Sequence, residues 1–310
     1  MSIADDPVAI LLDRVDLAIS EFGQVRQAQS DRPNDRSDAA RELDEQEPYA
    51  GAWGADPVVQ AYSQAQLLLL AGEDHLRALD RLLRREPLAF APVAVSRAAI
   101  EVFARAGWLL DSNLDSKNRI ARGMTERLHS LRERAKLPAD YNEPNPPHER
   151  IARIIEGANE RGFSLVCDSR GEPVAVEEKR PSSTDAVDAL LSKGGDGLGG
   201  VLYRITSAMA HGTMFGLLMR FEMEPAENQP ITAALPAMRP GNSTLIASAA
   251  LLAYVRAVDA LVARMGWPSP WPNPFRHPFV TMRQTLLDAK PTPAEVEQAA
   301  QDLRSSTELA

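Results

Sequence analysis

Three apolar stretches, residues 87–110, 198–219 and 245–265, limit what this chain can fold into. Each is long enough for about five helical turns or more. Each also carries charge or histidine in its middle, and polar segments separate them. A membrane span tolerates such groups poorly, so the expectation is the central helices of a bundle. Between Pro87 and Leu110 the only charged residues are Arg97, Glu101 and Arg105, spaced by four. Residues four apart share a helix face, which predicts Arg97–Glu101 and Glu101–Arg105 pairs on a helix that is otherwise apolar almost all round.

A helix predicted over 201–220 has the same character. Its only groups charged or titrating near neutrality are Arg204, His211 and Arg220. Arg204 and His211 then fall on one side, about 10 Å apart along the axis. The simplest packing sets the two polar strips against each other, with Glu101 near Arg204 or His211. Arg97, Arg105 and Ser207 would support the resulting cleft. Two outcomes stay open: a buried ion network that fixes the bundle's register, or a small cleft with a tuned histidine.

The remaining sequence reads mostly as further helices. Residues 1–28 form an N-terminal amphipathic helix through Val8, Leu11, Leu12, Val15 and Ile19. Residues 29–55 are acid-rich and nearly devoid of large apolar groups over 29–50, so a flexible linker or a short solvated helix is expected. The bundle domain spans 56–265, with helices over 56–85, 92–110, 115–137, 148–161, 182–193 and 240–265 beside the central one. The 115–137 helix is heavily charged. Its Glu126/Arg122 and Glu133/Lys136 spacings indicate a solvated face, and a nucleic-acid-binding face is the alternative. Proline marks a loop over 138–147. A small β-hairpin is expected at 163–166 and 173–176 around the turn Asp168–Gly171. The glycine-rich run 193–200 lacks the Gly-Lys-Ser/Thr of a phosphate loop and reads as a connector. Residues 221–235 are proline-punctuated. Residues 266–310 begin as a proline- and tryptophan-rich strap and end in polar helices.

The net charge of −9 argues against broad binding to DNA or to an anionic membrane. A lone cysteine, Cys167, permits no intrachain disulfide and suits a reducing compartment. The acidic start lacks the basic flank of an export signal, so a cytoplasmic location is expected. Five scattered histidines form no metal-binding spacing, and neither metal nor cofactor is expected.

The run SRAAIEVFARAGWLLD, followed about ninety residues later by YRITSAMAHGT, resembles a group of helical, mostly actinobacterial proteins of unknown function. Those in turn resemble the HEPN superfamily, helical bundles that include metal-independent RNases of toxin and phage-defence systems. The superfamily signature is Arg, a polar residue, then His after a short spacer, which Arg204–His211 matches with six intervening residues. Ile205 stands where active members carry Asn, Asp or His. The resemblance covers about residues 56–265. It implies an all-α bundle, RNA as partner, a homodimer, and cleavage with His211 as acid–base, Arg204 on the phosphate and Glu101 orienting the imidazole. The alternative is a non-catalytic ligand-binding or interaction protein whose Arg, Glu and His residues form a structural network.

Overall fold

The computed structural model describes residues 7–51, 53–85, 90–138, 146–192, 197–213 and 240–271. Among them the fold is all-α apart from one small hairpin. The elements are α1 (Pro7–Ala28), α2 (Asp38–Asp44), α3 (Pro57–Arg85), α4 (Ala91–Leu109), α5 (Ser116–Arg134) and α6 (Pro147–Glu160). After them come β1 (Leu165–Cys167), β2 (Pro173–Val176), α7 (Ser183–Leu191), α8 (Leu198–Ala210) and α9 (Pro240–Met265). The described residues up to Pro270, α1 included, belong to one compact unit.

The hub is α4, which packs against α3, α9, α7 and α8. Its Val93, Ser96, Ala99, Ile100, Phe103 and Ala104 are all fully or almost fully buried, as an apolar-all-round pattern requires. On α3 the buried residues Val58, Ala61, Tyr62, Ala65, Leu69, Leu76 and Leu79 recur at three and four, and Gly72 lies within that stripe. A Cβ at Gly72 would overlap the Phe103 ring, so the missing side chain sets how closely α3 and α4 approach. Phe103 also meets Tyr254 of α9 at 5.3 Å between ring centroids, and Tyr254 meets Phe22 of α1 edge-on at 6.3 Å. Ser96 ties α4 to α9 by donating to the Ile246 carbonyl at 2.9 Å. The segment Ser243–Met265 is long and apolar enough to cross a membrane, but 78% of its apolar window is buried inside this fold.

The acidic segment expected as a flexible linker or a solvated helix carries a packed helix. Ser37 caps α2 by accepting from the Ala40 N–H at 3.1 Å, and α2 carries Ala39 and Glu42 into the interior. Glu42 is 1% exposed. It pairs with Arg119 of α5 at 2.5 Å and with Arg264 of α9, and accepts from Tyr62 of α3 at 2.8 Å. Arg264 also reaches Asp38, and the two guanidiniums take up the carbonyls of Leu109, Asp111, Ser112 and Leu114. Burial pushes the Tyr62 phenol up to about 12, with Arg119 pulling against that rise and Glu42 adding to it. A carboxylate surrounded by two arginines and a phenol satisfies the demand that buried charge be paired.

The face of α5 expected to be solvated is also largely interior. Asp115 caps the helix, accepting from the Asn118 N–H at 2.8 Å. Yet Arg119, Arg122 and Glu126 are buried. Arg122 pairs with Asp111 and Glu178, not with Glu126. The Glu133–Lys136 pair does form, at 2.7 Å on the surface. The hairpin pairs Leu165 with Val176 in antiparallel register, and Thr125 of α5 docks it through the Val176 N–H and C=O. Phe163, expected in the first strand, instead packs against Tyr49 and Trp53.

The largest departure concerns α8. The helix expected over 201–220 starts at Leu198 and stops at Ala210. Gly212 adopts φ +61, and the N–H groups of Gly212 and Thr213 close onto the carbonyls of Met209 and Ala208. This is a Schellman stop, which needs a residue without a Cβ penalty at that position. Several expectations lie outside the described residues: Arg220 and the rest of 214–220, the segments 139–145, 193–196 and 221–235, the strap beyond 271 and the tail from 280.

Candidate functional site

Two helices build the polar site that the sequence points to. On α4, Arg97 and Glu101 stand one turn apart and pair at 2.8 Å. On α8, Tyr203 donates its hydroxyl to Glu101 Oε1 at 2.7 Å and accepts from Arg97 Nη2 at 3.0 Å. Arg97 also lies over the Tyr203 ring, 5.4 Å from its centroid. His211, the C-cap of α8, completes the group with Nε2 2.7 Å from Arg97 Nη1. Since a guanidinium can only donate, this geometry requires the neutral imidazole with its proton on Nδ1.

The site is neither sealed nor open. Tyr203 is buried, the Arg97 and Glu101 side chains are 20% and 28% exposed, and His211 is exposed. Burial works against the Arg97 charge, but Tyr203 and Glu101 outweigh it and raise its pKa. Arg97 Nε is buried without a partner. The α8 stop matters here, because it leaves His211 on the last helical turn with its N–H still bonded to the Ser207 carbonyl.

The expected residues therefore divide. The structure brings Glu101, Arg97 and His211 together. It does not bring in Arg204, which is exposed on α8 and bonds to none of the described residues. Arg105 turns away from Glu101 and pairs with Glu126 of α5 at 2.5 Å, with Arg180 further off at 3.7 Å. Ser207 contributes its carbonyl alone among the bonds described. Tyr203 was missed by sequence reasoning. Its position four residues before Ser207 and eight before His211, on the same helix face, was the available signal.

Chemically, the cluster offers an imidazole at the solvent boundary, a fixed cation beside it, and a carboxylate–phenol pair holding that cation. Comparison with protein-family models, with curated proteins and with solved structures finds no match for this chain.

Proposed function

We propose that Arg97, Glu101, Tyr203 and His211 form a metal-independent acid–base site for cleaving RNA, as the HEPN resemblance suggests, with Arg97 in the role expected of Arg204. The observation that carries the reading is the 2.7 Å contact between Arg97 and an exposed His211. In the proposed reaction His211 Nε2 takes the proton of a ribose 2′-hydroxyl, and the 2′-oxygen attacks the adjacent phosphorus. The bond from phosphorus to the 5′-oxygen breaks as protonated His211 gives its proton to that oxygen, leaving a 2′,3′-cyclic phosphate and a 5′-hydroxyl. Arg97, released from the imidazole, donates instead to the phosphate oxygens that gain charge. Glu101 and Tyr203 keep the guanidinium in place. The homodimer, the cytoplasmic location and a toxin or defence role belong to the same proposal.

A second reading has its own support. Glu101 already neutralises Arg97, so the group also serves as an ion network fixing the register of α4 and α8. Incubating the purified protein with a panel of single-stranded RNAs separates the two. The cleavage reading expects cyclic-phosphate ends, activity that survives a chelator, and a loss of at least about 100-fold in both His211→Gln and Arg97→Gln. An uncut panel, or full activity in His211→Gln, leaves the network reading standing.

A further inference from the structure

A second place in the fold concentrates charge of one sign with no opposite charge beside it among the described residues. Arg127 on α5 and Arg150 and Arg153 on α6 line a cavity of about 300 Å³, together with Trp53, Gly54 and Ile154. Arg150 and Arg153 are three apart and therefore share a face of α6. The wall is rigid. Trp53 Nε1 donates to the Ile154 carbonyl at 3.0 Å, and Gln60 donates to the Trp53 carbonyl at 2.8 Å. Gln60 presents its remaining oxygen to Arg127, a neutral partner for a charged group. No carboxylate among the described residues pairs with any of the three arginines, although Glu149 is next to Arg150 in sequence.

Such a cluster of like charges is costly by itself. Arg127 is half-buried, and its pKa is lowered by burial and then by the charges of Arg150 and Arg153. The first turn of α6 also carries the positive end of its helix dipole, which disfavours a cation at Arg150. A chain with a net charge of −9 is rich in carboxylates, yet none of the described ones pairs with these three guanidiniums. An anion that enters the cavity relieves all of these penalties at once.

We propose that the Arg127–Arg150–Arg153 cavity binds the terminal phosphate of a small phosphate monoester. A monoester carries a charge of about −1.5 to −2 near neutrality, against −1 for an internal phosphodiester, and it presents three oxygens to three planar forks. The cavity has room for the phosphate and part of the group attached to it. The proposal does not depend on cleavage at His211, with which it shares no residue.

Calorimetric titration of the full chain at low ionic strength tests it, with inorganic phosphate, adenosine monophosphate and a short RNA lacking terminal phosphate as separate ligands. The expected result is saturable one-site binding of the monophosphate that weakens at least tenfold in Arg153→Gln and in Arg150→Gln. The control Arg170→Gln, an exposed change in the hairpin turn, should bind like wild type. Affinity should also fall between pH 7.5 and pH 5 as the monoester loses its second charge. Equal affinity for inorganic phosphate and the monophosphate assigns the site to the phosphate group alone. Tighter monophosphate binding adds contacts to the attached group. Both support the proposal. As a check on the repulsion itself, Arg153→Gln should raise the Tm of the protein measured without added phosphate. Absence of saturable binding, binding unchanged in both variants, or binding of the RNA alone overturns the proposal, the last in favour of a nucleic-acid face.

Discussion

Arg119 and Glu42 lie 77 residues apart in sequence and meet at 2.5 Å with water excluded from both, their side chains 0% and 1% exposed. Removing one partner strands the other. Glu42→Ala leaves Arg119 and Arg264 facing each other without their shared carboxylate, and should cost about 3–5 kcal/mol of stability. A urea melt measures this. An accompanying hydrogen-exchange experiment should find the α2 amides protected in wild type and exchanging freely in the variant.

Glu73 predicts a pH dependence. It is buried on α3, where it accepts from Tyr254 at 3.0 Å. Burial raises its pKa above the ordinary 4.5, against the smaller pull of Tyr254, Arg77 and Arg26. Between 4.5 and its raised value the native state holds a proton that the unfolded state has lost. Stability from this group therefore falls as pH rises through that window. Glu73→Gln keeps an acceptor for Tyr254 and abolishes that slope. Urea midpoints from pH 4 to pH 8 should show the variant gaining on wild type as pH rises; parallel curves would count against the assignment.

Glu101→Ala removes the carboxylate that holds Arg97 and the Tyr203 hydroxyl. The site is partly solvated, so the loss should be about 1–3 kcal/mol, the range for hydrogen bonds to charged groups, and below that of Glu42→Ala. Tyr203→Phe should lose less, about 0.5–1.5 kcal/mol. Chemical denaturation of the two variants and their double mutant gives the coupling between α4 and α8 directly.

Gly72→Ala adds a single methyl group where the Phe103 ring already lies. The overpacking should cost about 1–3 kcal/mol and lower Tm. Pairing it with Phe103→Leu should recover part of the loss, because the smaller side chain opens room at the same contact.

The polar strip on α4 was legible because Arg97 and Glu101 are the rare charges on an apolar helix, and spacing alone puts them on one face. Much of the rest was hidden for a physical reason. Glu42 looks like any solvated acid in a polar stretch, since the groups that bury it come from α3, α5 and α9. Arg127, Arg150 and Arg153 each read as a surface charge on its own helix, and only the packing of α5 against α6 collects them. The α8 stop was within reach. His-Gly-Thr at 211–213 carries a helix-ending glycine, but the apolar run continuing past it favoured a longer helix.

The seal around Glu42 also bears on how this protein is made. Glu42 and Arg264 are 222 residues apart, so at a synthesis rate of about 5–20 residues per second the carboxylate precedes its partner by about 10–45 s. The helix Pro7–Ala28 waits in the same way for Pro240–Met265, the helix against which it packs. Until Pro240–Met265 has emerged, the nascent chain thus leaves Pro7–Ala28 without that packing surface and Glu42 with Arg119 alone of its two arginines. Pro240–Met265 closes both contacts at once when it docks.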